Sequence, residues 1–157
     1  MKKLITIVLL AVITFSCSDA KKNKTTVDTK TDQAQNDTYL KATIDGVAFY
    51  AEAPHFIYDQ KIISLAGISK DKTEKIYINY NKGPAIYTFG KGISNSDNLI
   101  YTNNKVHWLA AKTMGEGTIT ITEEGAFLIG KFNFTGVNKE DKSTKQITDG
   151  EFKVLKK

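Results

Sequence analysis

The 157-residue chain contains no arginine; its cationic charge is carried by lysine. Nucleic-acid readers rely on arginine forks for bidentate contacts with bases and phosphates, so this absence argues against a nucleic-acid partner. Cysteine occurs once, at Cys17, which excludes an internal disulfide and leaves no second thiol for redox exchange. Histidine occurs twice, at His55 and His107, with no His-x-His or His-Glu-x-x-His spacing, so no zinc site and no other cofactor site is expected. Proline is limited to two positions. No apolar run approaches the roughly 20 residues that a membrane-spanning helix needs.

What is present begins at the N-terminus. Met1-Lys2-Lys3 is basic, Leu4 to Phe15 carries no charge, and Ser16 is a small residue before Cys17. That order is the layout of a secretory signal peptide. Thr14-Phe15-Ser16-Cys17 resembles the lipobox of bacterial lipoproteins, with Thr14 and Phe15 departing from its usual residues. The resemblance implies cleavage before Cys17 and lipidation on it. A single acyl chain binds membranes marginally, whereas two or more hold stably. Ser18 to Thr38 is polar, without aromatics, and reads as a disordered tether reaching on the order of 25 Å for its 21 residues. The expected organisation is a lipoprotein signal peptide over 1–16, a lipidated cysteine and tether over 17–38, and one domain over 39–157. Loss of Lys2 and Lys3 leaves 20 lysines against 17 acids, a weak +3 that suits a solvated surface. Ser18-Asp19-Ala20-Lys21-Lys22 has a single acid after the cysteine, and the expected location is the outer membrane, facing the periplasm.

Beyond Thr38 the apolar pattern has period two nearly everywhere. Tyr39 to Ile44 and Val47 to Glu52 flank Asp45-Gly46, a strong hairpin signal because both turn residues need positive φ. Lys61 to Ser69, Glu74 to Asn81, Ala85 to Gly90, Leu99 to Thr102, Val106 to Lys112, Thr118 to Thr122 and Ala126 to Thr135 continue the series. Lys145 to Thr148 and Glu151 to Leu155 flank Asp149-Gly150, which is either a second turn or a bulge within one strand. No amphipathic stretch supports a helix. Nine or ten short strands separated by turn residues predict an all-β, antiparallel β-sandwich, with a closed β-barrel as the alternative.

Ala42 to Ala51, Gly117 to Thr122, Ile129 to Phe134 and Ile147 to Phe152 resemble the opening hairpin and C-terminal strands of a family of uncharacterised Bacteroidota-type lipoproteins with small all-β domains. The likeness covers both ends of the domain and leaves Pro54 to Lys112 largely unmatched. It implies an all-β domain tethered to the cell envelope and supplies no catalytic residues.

Several fragments imitate catalytic motifs. Ser69-Lys70-Asp71-Lys72 fits S-x-x-K and Ser96-Asp97-Asn98 is S-D-N, but Ser69 ends a strand where the penicillin-binding chemistry needs a helix start. Gly125 to Lys131 fits G-x-x-x-x-G-K, but Phe132 stands where a phosphate loop needs Ser or Thr for Mg²⁺. Asn95, Asp97 and Asn98 supply oxygens without the spacing of a calcium loop. A Ser-His-Asp set meets only in space and has no elbow motif here to announce it.

The aromatics of the middle strands remain. Tyr77, Tyr87 and Trp108 are candidate ligand-stacking residues, provided that they face outward; aromatics are also simply good strand formers. The expected function is therefore a lipid-anchored envelope module, not an enzyme, that binds an envelope protein or a glycan. A small envelope hydrolase is the alternative.

Overall fold

The computed structural model describes residues 37–58, 62–81, 85–89 and 97–156. Cys17, the expected signal peptide and most of the expected tether lie outside the described residues. What is described is all-β and antiparallel, as the periodicity predicts. Eleven strands join in one curled sheet. They are β1 (Tyr39–Ile44), β2 (Val47–Glu52), β3 (His55–Tyr58), β4 (Ile62–Ile68), β5 (Glu74–Asn81) and β6 (Ile86–Phe89), followed by β7 (Asn98–Asn103), β8 (Val106–Ala110), β9 (Glu116–Glu124), β10 (Phe127–Val137) and β11 (Thr144–Leu155).

The sheet runs β2-β1-β11-β10-β8-β7-β5-β4-β3. Strand β10 is the branch point. It pairs β11 along its length, β9 over Phe127–Thr135, and β8 at Val137 alone. Strand β9 then carries β6 on its far side. The two ends of the order, β2 and β3, are neighbours in sequence, joined through Ala53-Pro54 with Ala53 at φ 43°. The chain therefore passes directly from one end of the sheet order to the other. Strand β4 lies against β1 across the interior, so closely that a Cβ on Gly67 would sit 3.0 Å from Leu40.

Asp45 and Gly46 adopt φ 47° and 85°, the turn that the sequence signals. Asp149-Gly150 resolves as a bulge: Phe132 pairs Gly150 and Phe134 pairs Ile147, so β11 is one strand. Strand β3 was not among the expected strands. It follows Pro54 and has four residues, too few to display a period.

Alternation puts one side chain in two inside the curl. Leu40, Ile76, Ile78, Leu99, Ile119, Phe132, Phe134, Ile147 and Phe152 are all at most 3% exposed. Fully burying each such side chain contributes roughly 1.5–3 kcal/mol. These side chains form the core inside the curl, and the hollows lined by described residues that are taken up below lie on its outward faces and rims.

Candidate binding face

The outward side of the sheet divides into two faces of different chemistry. On the β2-β1-β11-β10-β9 side, Tyr50, Lys41, Glu151, Lys131 and Thr120 form one cross-strand row. Glu151 receives Lys41 at 2.9 Å and Lys131 at 4.0 Å. Its hydrogen bond and ion pair with Lys41 hold the carboxyl below its ordinary value, and Lys41 is raised by the same partner. Lys153 reaches Asp37 at 3.9 Å and covers the Phe127 ring at 4.3 Å. Here lysines and acids answer one another across strands, and the face is solvated and self-neutralised.

The face over β3-β4-β5-β7-β8 is built differently. Ala66, Tyr77, Ile100, Leu109 and Val137 are cross-strand partners in a single row, and all are half-buried. His55 continues the row at the β3 edge. On one flank, Ser64 Oγ donates to Asn79 Oδ1 at 2.6 Å, and Asn79 Nδ2 donates to Asn98 Oδ1 at 2.8 Å. On the other flank Lys75, Thr102 and His107 are register partners, with Thr102 Oγ1 2.9 Å from His107 Nδ1. An apolar stripe thus lies between two polar ladders.

Turns raise the rim. At 69–73 the Asp71 carboxylate accepts Ser69 Oγ at 2.5 Å, Thr73 Oγ1 at 2.8 Å and Thr73 N at 3.2 Å. These hydrogen bonds keep Asp71 below its ordinary pKa and occupy it within its own turn, while Lys70 and Lys72 stand exposed. In the β7–β8 hairpin, Asn104 and Lys105 take φ 46° and 77°, a turn that lifts Lys105 beside Val106. The 138–143 loop is tied down by Asn138 Oδ1, which accepts Glu140 N at 2.7 Å.

Between stripe and rim three adjoining hollows open. The central one, about 410 Å³, has Tyr77 as its aromatic wall, with Thr73, Thr102 and Asn104 as neighbours. A second, about 380 Å³, lies over Ile100, Leu109 and Val106, and shares Lys105 and His107 with the first. A third, about 280 Å³, lies between Ala66, Ile68 and Pro54, and shares Lys72 and Lys75. The two larger hollows have the volume of small-ligand sites.

The grouping of Tyr77, Tyr87 and Trp108 is corrected. Tyr77 faces outward. Trp108 faces inward: it is 9% exposed, stacks on Tyr101 at 5.5 Å, and donates from Nε1 to Ser143 Oγ at 3.0 Å. Odd and even positions of β8 face opposite ways, so His107 takes the outward place and Trp108 the inward one. Tyr101 beside it donates to Glu74 Oε1, and burial followed by that carboxylate pushes its hydroxyl pKa up. The Tyr87 backbone pairs Ile119 in β6, and its side chain lies outside the described residues. Cys17, Asn95 and Ser96 also lie outside them. Among the described residues no three of His, Cys, Asp and Glu converge to hold a metal. The S-x-x-K fragment is the 69–73 turn, and the G-x-x-x-x-G-K fragment is a turn running into β10.

The family described as Domain of unknown function (DUF6252) matches residues 36–155. The chain belongs to this family. The match runs through the 54–112 region that the sequence resemblance leaves open, and so takes in β4, β5, β7 and β8 with their hollows. No curated protein and no solved structure matches the chain. The family carries no assigned chemistry, so the reading of the face rests on its residues.

Lys75 and Lys105 are not singled out by the sequence, and Lys72 is met there only as the last residue of the S-x-x-K fragment. Alternation does place Lys75, Tyr77 and Asn79 on one face of β5. What brings Thr102 and His107 beside them is cross-strand register, which no local pattern encodes.

Proposed function

We propose that this protein is a lipid-anchored component of the cell envelope, held on the periplasmic side of the outer membrane through Cys17, and that it acts by binding and not by catalysis. Its working surface is the outward face of β4, β5, β7 and β8. The observation that carries the reading is the Tyr77-Ile100-Leu109 stripe, apolar and open in hollows between two polar ladders. The ordinary device for an outward sheet face is the charged ladder seen on the opposite side. A sugar ring is the ligand that such a stripe suits: apolar ring faces cover an aromatic while hydroxyls meet the flanking polar groups. The N-terminal sequence supports the anchor, and the 18–38 composition supports a spacer that keeps this face clear of headgroups.

One experiment in cells tests both parts. Photo-reactive benzoylphenylalanine replaces Tyr77 in one strain and Thr120, on the opposite face, in another. Cells are irradiated and fractionated. Both proteins are expected in the membrane fraction, released by detergent, with heavier adducts from position 77 and none from position 120. A wholly soluble protein contradicts the anchor; adducts from 120 and not from 77 contradict the face.

A further inference from the structure

Charge separates the two outward faces as sharply as shape does. The ion pairs among the described residues use Lys41, Lys131, Lys145, Lys153 and Lys156. None of these lines a hollow. The lysines that do are Lys70, Lys72, Lys75, Lys105 and Lys139, and none of them has an acid within ion-pair distance among the described residues. Two acids share the lining, Glu52 in the smallest hollow and Glu140 in the second, and neither lines the central one. Asp71, between Lys70 and Lys72, is turned into its own turn by Ser69 and Thr73. The central hollow has no acid in its lining and three lysines: Lys72, Lys75 and Lys105.

Elsewhere among the described residues Lys41, Lys131, Lys145, Lys153 and Lys156 each reach an acid, while Lys112 and Lys142 stand apart without one; only in the hollows at and beside Tyr77 do unpaired lysines gather in one lining. Leaving these amines unpaired around one aromatic therefore sets up a positive potential over the hollow that an anion would fill. The rest of the lining says what kind of anion. Thr73, Thr102, Asn104 and His107 offer hydroxyl, amide and imidazole groups beside the Tyr77 ring. Hydroxyl-rich donors and acceptors, one aromatic wall and point-charge amines suit a ring that carries both hydroxyls and an acid group. A polyanion without rings would leave Tyr77 unused, and a neutral sugar would leave the lysines unused.

We infer that the hollow around Tyr77 is the seat of an acidic sugar within an envelope glycan, with the ring against Tyr77 and its carboxylate or phosphate among Lys72, Lys75 and Lys105. This rests on the binding face proposed above and deepens it from a sugar to an anionic one.

The test is a binding titration of the full-length lipoprotein in neutral detergent at low salt. The probes are oligogalacturonate, the same chain fully methyl-esterified, a phosphomannan oligosaccharide, its dephosphorylated form, and polyglutamate of matched length. Oligogalacturonate or phosphomannan is expected to bind at least tenfold tighter than its neutral counterpart and than polyglutamate. Which of the two wins tells carboxylate from phosphate. Lys72→Gln, Lys75→Gln and Lys105→Gln should each weaken binding roughly two- to fivefold, and rising salt should weaken it further. Tyr77→Leu, which keeps the stripe filled, should cost about tenfold. Lys131→Gln on the opposite face should change nothing, and reports on folding and on non-specific charge together. Equal binding of acidic and neutral sugars, lost in Tyr77→Leu, overturns the anionic inference and leaves the sugar-binding face standing. Polyglutamate binding as well as the acidic sugars overturns the inference by reducing the hollow to a bare cationic patch. No sugar binding at all overturns both.

Discussion

At the scale of single residues, position parity decides role. Trp108 and His107 are adjacent, yet one stacks on Tyr101 in the core and the other bonds Thr102 on the outer face. The sequence carries that parity strand by strand, but not which parity is inward when both faces hold large residues. In β5 the isoleucines Ile76 and Ile78 settle it, and Tyr77 is legible as outward. In β8 the run Val106 to Ala110 holds apolar residues at both parities, so the sequence leaves Trp108 open between a core ring beside an outward His107 and an outward stacking ring. Asp45 supplies a prediction of its own. It receives Lys145 Nζ at 2.7 Å and Gln146 N at 2.9 Å, which tie the first turn to β11. The hydrogen bond with Lys145, then that with Gln146, lowers its pKa below the ordinary 3.8. A depressed folded-state value stabilises the fold above the unfolded pKa, and that contribution fades as pH falls through the folded one. The Asp45 carboxylate is partly exposed, so the effect is under about 1 kcal/mol, on the order of 3 °C in melting temperature. Asp45→Asn tolerates the same positive φ. Its melting deficit is expected to be constant above about pH 5 and to shrink below about pH 4. A deficit that does not change between pH 7 and pH 3 contradicts this role.

At the scale of elements, β10 and β11 are the spine. Strand β10 reaches β11, β9 and β8, and the bulge at Asp149-Gly150 lets the 12-residue β11 serve both β1 and β10. The long strand from Ala126 was evident from its alternation. The unity of β11 was not, because Asp-Gly is equally a hairpin signal, and only pairing on both sides distinguishes a bulge. Strand β3 escaped for want of length. The spine is also where packing is tightest: a Cβ on Gly130 would sit 2.2 Å from Phe152 Cε1 and 2.9 Å from Thr120 O. Overpacking of this kind costs typically 1–3 kcal/mol. Gly130→Ala is therefore expected to lower the urea midpoint, and adding Phe152→Leu should recover part of that loss, since the two changes meet in one contact. Strict additivity of the two losses would show that Phe152 is not what the new methyl meets.

At the scale of the whole molecule, a single sheet presents two outward faces to its surroundings. One closes its charge on itself through Lys41, Glu151 and Lys131. The other leaves lysines open around Tyr77. The periodicity made the all-β architecture legible. The division of labour between faces was not legible, because it depends on which strands become neighbours once the sheet curls. The envelope setting proposed for this face rests on the composition of the N-terminal 38 residues. The central claim is that a ligand seats on this face and on no other. Amide chemical shifts of the isotopically labelled full-length protein in neutral detergent, titrated with trigalacturonate, test it most directly. The account predicts shifts clustered at 72–77 and 102–107, with positions 41, 120, 131 and 151 unmoved. Shifts centred on the opposite row, or spread evenly over every lysine-bearing strand, would contradict it.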